Sequence, residues 1–127
     1  MMNPLREQIR SLLRVEPTSS GFRAMFNMDP ALMVLPDHFP DQPIMPGMCM
    51  VQLVLIAAGA AHGDQEMRLR VLKNAKFVQP VLPGDQVLID AEMTTIDGNL
   101  AIKAKLSAND SRRAEINLIA GVDEGMS

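Results

Sequence analysis

Residues 47–63 read GMCMVQLVLIAAGAAHG, and this stretch decides the fold. Seventeen residues of almost unbroken apolar character make about four helical turns with oily side chains on every side, so a helix here is expected to be buried all round. We place this central helix at about 47–62. The apolar run from Ile44 to Ala61 approaches membrane-spanning length, yet Pro46, Gly47, Gln52 and Gly59 interrupt it and no second such run exists, so a membrane span is not expected.

The flanks say what surrounds the helix. Upstream, residues 37–47 (DHFPDQPIMPG) hold three prolines and a glycine, which excludes regular structure over most of the segment and makes it a shaped loop. Downstream of a polar break at 62–66, the chain reads as strands over 67–79, 86–96, 99–108 and 112–122. Turn chemistry falls at Pro83-Gly84-Asp85, Asp97-Gly98 and Asn109-Asp110-Ser111. In the third of these strands Leu100, Ile102, Ala104 and Leu106 face one way while Lys103 and Lys105 face the other, so the sheet has one dry face. Nearer the start, residues 3–14 carry Asn3 as a cap, Pro4 at the first helical position and Leu5, Ile9, Leu12 and Leu13 at helical spacing. That predicts an amphipathic helix. Residues 21–28, with Phe22, Ala24 and Phe26 on one side, predict a further strand. An apolar helix and an antiparallel sheet with one apolar face are best buried by wrapping the sheet around the helix, an α+β architecture.

Composition narrows the class. A chain of 127 residues with 47% apolar and 21% charged residues suits one globular domain over 1–127. Net charge −3 argues against a nucleic-acid partner, which calls for a basic face. The single cysteine, Cys49, excludes an internal disulfide framework and a Cys-rich zinc site, and the first twenty residues lack the apolar core of a secretory signal, so a reducing cytoplasmic setting is expected. Two histidines without a cysteine or carboxylate cluster at ligand spacing do not make a metal site, and no cofactor is implied. Eleven methionines against four phenylalanines suit either a flexible acyl tunnel or ordinary gap-filling in a core.

Three features could carry chemistry. Gln52 is the only strongly polar side chain between Pro43 and His62, and on a buried helix its amide must find the backbone, water or a ligand; a satisfied core amide and a site residue are both open. His38, in the loop ahead of the helix, has the near-neutral pKa of a general base, although loop histidines are commonly just solvated, and His62 has less claim. The Pro46-Gly47 step frees a helix N-terminus whose N–H groups would attract a carbonyl oxygen gathering negative charge. Together these fit an acyl-thioester site.

His38-Phe39-Pro40 followed by Pro43-Ile44-Met45-Pro46-Gly47 resembles the H-F-P-x-x-P-x-x-P-G signature of the beta-hydroxyacyl-acyl-carrier-protein dehydratases. A second block, Lys76-Phe77, Pro80-Val81 and Pro83-Gly84-Asp85, resembles the K/R-F-x-x-P-V-x-P-G-D element of the same family, and the two cover residues 15–122 in outline. The resemblance implies a hot-dog fold, a curved antiparallel sheet wrapped around a long helix, and a homodimer or higher homo-oligomer whose sheets join edge to edge. It implies His38 as base at the carbon next to the thioester carbonyl, the amides of Gly47 and Met48 as donors to that carbonyl, and Phe39, Pro46 and Cys49 as substrate-binding residues. Fourteen positions after the histidine the family has Glu or Asp, contributed by the partner subunit, to handle the proton at the departing hydroxyl; here that position is Gln52. A neutral amide cannot donate a carboxylic proton, a loss of about 10² to 10⁴ in rate. Asp37 and Asp41 flank the H-F-P and are weak substitutes.

Three functions follow in order: dehydration of a (3R)-3-hydroxyacyl thioester on acyl carrier protein, an acyl-binding or heteromer subunit without chemistry of its own, and thioester hydrolysis. The last ranks lowest because no carboxylate lies between Asp41 and Asp64. Arg68, Arg70, Lys73 and Lys76 form the only local run of positive charge near the site-forming strand, suited to an acidic carrier protein and equally to a solvated strand face.

Overall fold

Alternation of apolar and polar residues generates the sheet that organises the molecule. In the computed structural model, which describes residues 4–28, 47–82 and 84–122, the elements run α1 (Pro4–Leu12), β1 (Leu13–Pro17), β2 (Gly21–Asn27), α2 (Gly47–Ala61), β3 (Met67–Phe77), β4 (Gln86–Ile96), β5 (Asn99–Ala108) and β6 (Ser111–Val122). The six strands form one antiparallel sheet in the order β1-β2-β4-β5-β6-β3. β2 and β3 lie far apart in that order, so the chain between them crosses the sheet's inner face, and it does so carrying α2.

The inner face is apolar by register. Val15, Ala24, Ile89, Leu106 and Ala114 lie in one cross-strand row, Val15 half-buried and the rest buried, and Phe22, Phe26, Ile102, Ile116 and Leu118 are fully buried in the same core as Val51, Leu53, Val54 and Ala57 of α2. Each fully buried Val, Leu, Ile or Phe among them contributes roughly 1.5 to 3 kcal/mol by leaving water. Ile9 closes the core from α1, and an Arg10–Asp64 ion pair at 3.4 Å ties that helix to the turn after α2.

The opposite face carries a charge ladder. Glu16, Arg23, Asp90, Lys105, Glu115 and Lys76 stand opposite one another in a single row across all six strands, alternating in sign at every step. Opposite charges facing across strands stabilise by roughly 0.2 to 1 kcal/mol a pair.

Turn chemistry sets the hairpins. Asp97-Gly98 and Asn109-Asp110 each put two consecutive residues at positive φ, the two-residue turn that matches strand twist. The helix expected over 3–14 stops at Leu12, because Leu13 to Pro17 pair with Phe22 to Phe26 instead; helical spacing placed Leu13 correctly inside but on the wrong element. β3 ends at Phe77 rather than 79, and its register with β6 slips twice so that Arg70 and Lys73 fall at bulges.

Candidate functional site

At the first turn of α2, Gly47, the one described residue of the first sequence block, meets Phe77 of the second. Gly47 begins the helix, and a Cβ added to it would lie 3.0 Å from both Cε2 and Cζ of Phe77, closer than ordinary carbon contacts of about 3.5 to 4.0 Å. Phe77 is the last residue of β3, paired with Ala114. The glycine of the first block therefore seats the aromatic of the second.

α2 is not buried all round, contrary to expectation. Met48 is 55% exposed and Gln52, one turn further along the same face, is exposed as well. The sheet covers one side of the helix and leaves this side open. Gln52 thus lacks the dry surroundings expected of it, and its amide is free to meet water or a ligand. Cys49 points the other way, into the apolar cluster, where burial raises its thiol pKa above the ordinary value. His38, Phe39 and Pro46, together with Asp37 and Asp41, lie outside the described residues. His62 is exposed just past the end of α2, with its N–H bonded to the Ala58 and Gly59 carbonyls of the last turn, remote in sequence from Gly47.

The loop after Phe77 is held by a polar cluster that no motif announced. Arg113 Nη1 donates to Gln79 Oε1 and to the Pro80 carbonyl, both at 3.1 Å, and Nη2 donates to the Ala108 carbonyl at 3.2 Å. Asp85 accepts from the Leu82 N–H at 2.9 Å and from Asn109 Nδ2 at 3.3 Å. Gly84, at φ +88°, donates its N–H to the Met28 carbonyl, and the Met28 N–H donates to the Asp85 carbonyl, both at 2.8 Å. Gly84 and Asp85 thereby clamp the chain where it leaves β2. No local signal marks Arg113, which falls unpaired at the register shift between Arg112 and Ala114, where alternation along β6 breaks.

Arg68, Arg70, Lys73 and Lys76 are all exposed along β3, an edge strand, and the Arg70 guanidinium lies across Gly121, where a Cβ would stand 2.5 Å from Nε. Beside them Leu72, Phe77 and Val78 are exposed, so the edge is both basic and apolar. Among the described residues no helix is long and apolar enough to cross a membrane, and no three His, Cys, Asp or Glu side chains gather as metal ligands.

The family model described as ApeI-like, ApeI dehydratase, matches residues 14–114. A 3-hydroxyacyl-[acyl-carrier-protein] dehydratase FabZ from Geotalea uraniireducens is 34% identical over 99 residues, covering 61% of this chain and 68% of that protein. The chain spans about half the length of other relatives of the same name. Among solved structures, the dehydratase heterocomplex ApeI:P from Xenorhabdus doucetiae superposes with a TM-score of 0.67 at 22% identity, over 85% of this chain and 94% of that one. The fluoroacetyl-CoA-specific thioesterase FlK does so at 0.66 and 16%, over 80% and 88%. At those identities the likeness is one of fold, the hot-dog fold that the two motif blocks imply. With that fold, with Gly47 of the first block seated on Phe77 of the second, and with a family match over most of its length, this chain belongs to the ApeI-like family of hydroxyacyl-acyl-carrier-protein dehydratases.

Proposed function

We propose that the protein dehydrates (3R)-3-hydroxyacyl thioesters carried on acyl carrier protein. The observation that carries this reading is the seating of Gly47, the last residue of the first family block, against Phe77 of the second at the start of α2. The first N–H groups of a helix have no partner within it and present partial positive charge. Those of Gly47 and Met48 donate to the thioester carbonyl as charge gathers on its oxygen, the kind of stabilisation worth about 10² to 10³ in kcat per donor. His38 takes the proton from the carbon next to that carbonyl. The bond from the next carbon to the hydroxyl then breaks, a double bond forms, and the hydroxyl leaves as water.

The leaving hydroxyl needs a proton that Gln52 cannot supply. Exposed on the face of α2 it shares with Met48, the amide instead holds the hydroxyl and a water that delivers the proton. A slower reaction than that of a chain with a carboxylate follows. No cofactor takes part. The carrier protein docks on β3 through Arg68, Arg70, Lys73 and Lys76, and a second copy covers Leu72 and the open face of α2, giving a dimer.

The same amide favours a second reading, a subunit that binds acyl thioesters and completes its site only with a partner that contributes the acid. The likeness in fold to a chain of a dehydratase heterocomplex fits it. Hydrolysis of the thioester, as in FlK, is third, because α2 carries no carboxylate.

The deciding experiment follows a short 3-hydroxyacyl thioester on a carrier protein and its 2-enoyl product, with His38→Ala beside the native chain. Turnover that His38→Ala abolishes is the expected result. An inert native chain that still binds the thioester overturns it in favour of the subunit, and release of free thiol overturns it in favour of hydrolysis.

A further inference from the structure

We infer that Phe77 is a positioning residue for the first turn of α2: its ring is the stop against which Gly47 rests, and it sets where the Gly47 and Met48 N–H groups point. The inference deepens the proposed function and rests on it for its kinetic consequence alone.

Gly47 is not required by its backbone conformation, since the glycines at positive φ are Gly63, Gly84 and Gly98. What requires glycine is space. A Cβ there would meet Cε2 and Cζ of Phe77 at 3.0 Å and Cδ2 at 3.4 Å, so either the ring or the helix start would have to move by a few tenths of an ångström. The ring is not core filler: 47% of Phe77 is exposed, and the buried cluster is complete without it.

Its base is rigid. Phe77 pairs with Ala114 on β6, and the next two N–H groups, of Val78 and Gln79, both donate to the Arg113 carbonyl at 2.8 and 3.3 Å. A flat aromatic on an anchored strand end thus meets a helix that starts straight after three prolines in seven residues, Pro40, Pro43 and Pro46. The strand end is tied by pairing on β6, while Met48, beside Gly47 on the helix, is exposed. Because a misplacement of about 1 Å can cost roughly 10² in rate, fixing this start matters to any reaction that uses its N–H groups.

The test is a double-mutant cycle with a spectroscopic arm. Gly47→Ala, which displaces the ring or the helix start by only a few tenths of an ångström, is expected to lower kcat by about threefold to tenfold with little change in KM, and Phe77→Ala to lower it by about tenfold. Gly47→Ala combined with Phe77→Ala should run close to Phe77→Ala alone, because the atom the new methyl strikes is gone. A combined loss equal to the product of the two single losses overturns the inference, since a ring needed only for assembly or folding gives no such rescue. Independently, amide signals of Gly47 and Met48 should shift in Phe77→Ala as the ring's shielding is lost and the turn moves; signals that stay in place overturn it. An inert native chain would sink the dehydratase reading and leave the amide signals to decide this one.

Discussion

The Arg113 guanidinium lies 4.0 Å from the Asp85 carboxylate with each side chain only 11% exposed, and between them they fix the loop that follows Phe77. Their separation is long for an ion pair, and each has shorter bonds to the backbone of that loop. Removing one partner leaves the other charged and nearly dry, which typically costs about 3 to 5 kcal/mol. We therefore expect Asp85→Ala and Arg113→Met each to lower stability by roughly 3 kcal/mol in urea unfolding. The double variant should lose clearly less than the sum, because neither charge is then stranded. Additive losses would mean that the two side chains act separately.

Lys105 stands between Asp90 on β4 and Glu115 on β6, in the middle of the charge ladder. Lys105→Glu sets three carboxylates side by side and replaces two favourable pairs by two repulsive ones. A loss of about 1 kcal/mol at low ionic strength is expected, shrinking as salt shortens the screening length to about 3 Å at 1 M. Thermal melts at low and high salt check this. A deficit that salt does not relieve would point to packing of the lysine stem.

Most of the fold was legible because its period was. β4 and β5 match their expected bounds, since strict alternation and Asp97-Gly98 define both ends. β1 was not, because Leu12 and Leu13 satisfy a helical stripe as well as a strand start, and only pairing with β2 decides between them. Gln52 was misjudged for a related reason: hydropathy measures how apolar α2 is, not how much of it one sheet can cover. The Arg113 cluster depends on contacts across up to 34 positions of sequence, beyond the reach of any local pattern.

Cys49 makes stability depend on alkaline pH. Burial raises its thiol pKa above the ordinary 9.0, so the folded chain keeps a proton that the unfolded chain gives up. Stability is full below pH 9 and falls from there towards the folded-state value, as the unfolded state alone ionises. Unfolding free energy measured from pH 8 to 10 should fall more steeply in the native chain than in Cys49→Ala. Parallel curves would mean that the thiol is indifferent to folding. In the same way a thiol reagent at pH 8 should label Cys49 slowly until denaturant is added.

Leu72 lies on the inner side of β3, opposite Leu118, yet is 38% exposed on this edge strand. An uncovered apolar edge strand is a template for pairing with another chain. Leu72→Asp should convert the proposed dimer to monomer in light scattering, while carrier-bound substrate turnover falls with it because Gln52 and Met48 lose the cover proposed for them. A dimer that survives the charge would place the contact elsewhere.

Gln52→Glu is the sharpest test of the site. In the single chain the side chain is exposed, so the change from amide to carboxylate should move the stability of the monomer by less than about 0.5 kcal/mol. Its effect on turnover depends on whether proton delivery to the leaving hydroxyl limits the rate. If the native chain works through a water held by the amide, a carboxylic acid at the same place should raise kcat by about tenfold or more, within the range that general acid catalysis supplies. The new profile should also acquire an alkaline limb, because only the protonated acid donates and raising the pH removes that proton. His38→Ala in the Gln52→Glu background should abolish the gain, since donation to the hydroxyl is of no use without removal of the carbon-bound proton. A variant with unaltered rate and pH profile would show that residue 52 does not face the departing group, and the role proposed for Gln52 would have to be abandoned.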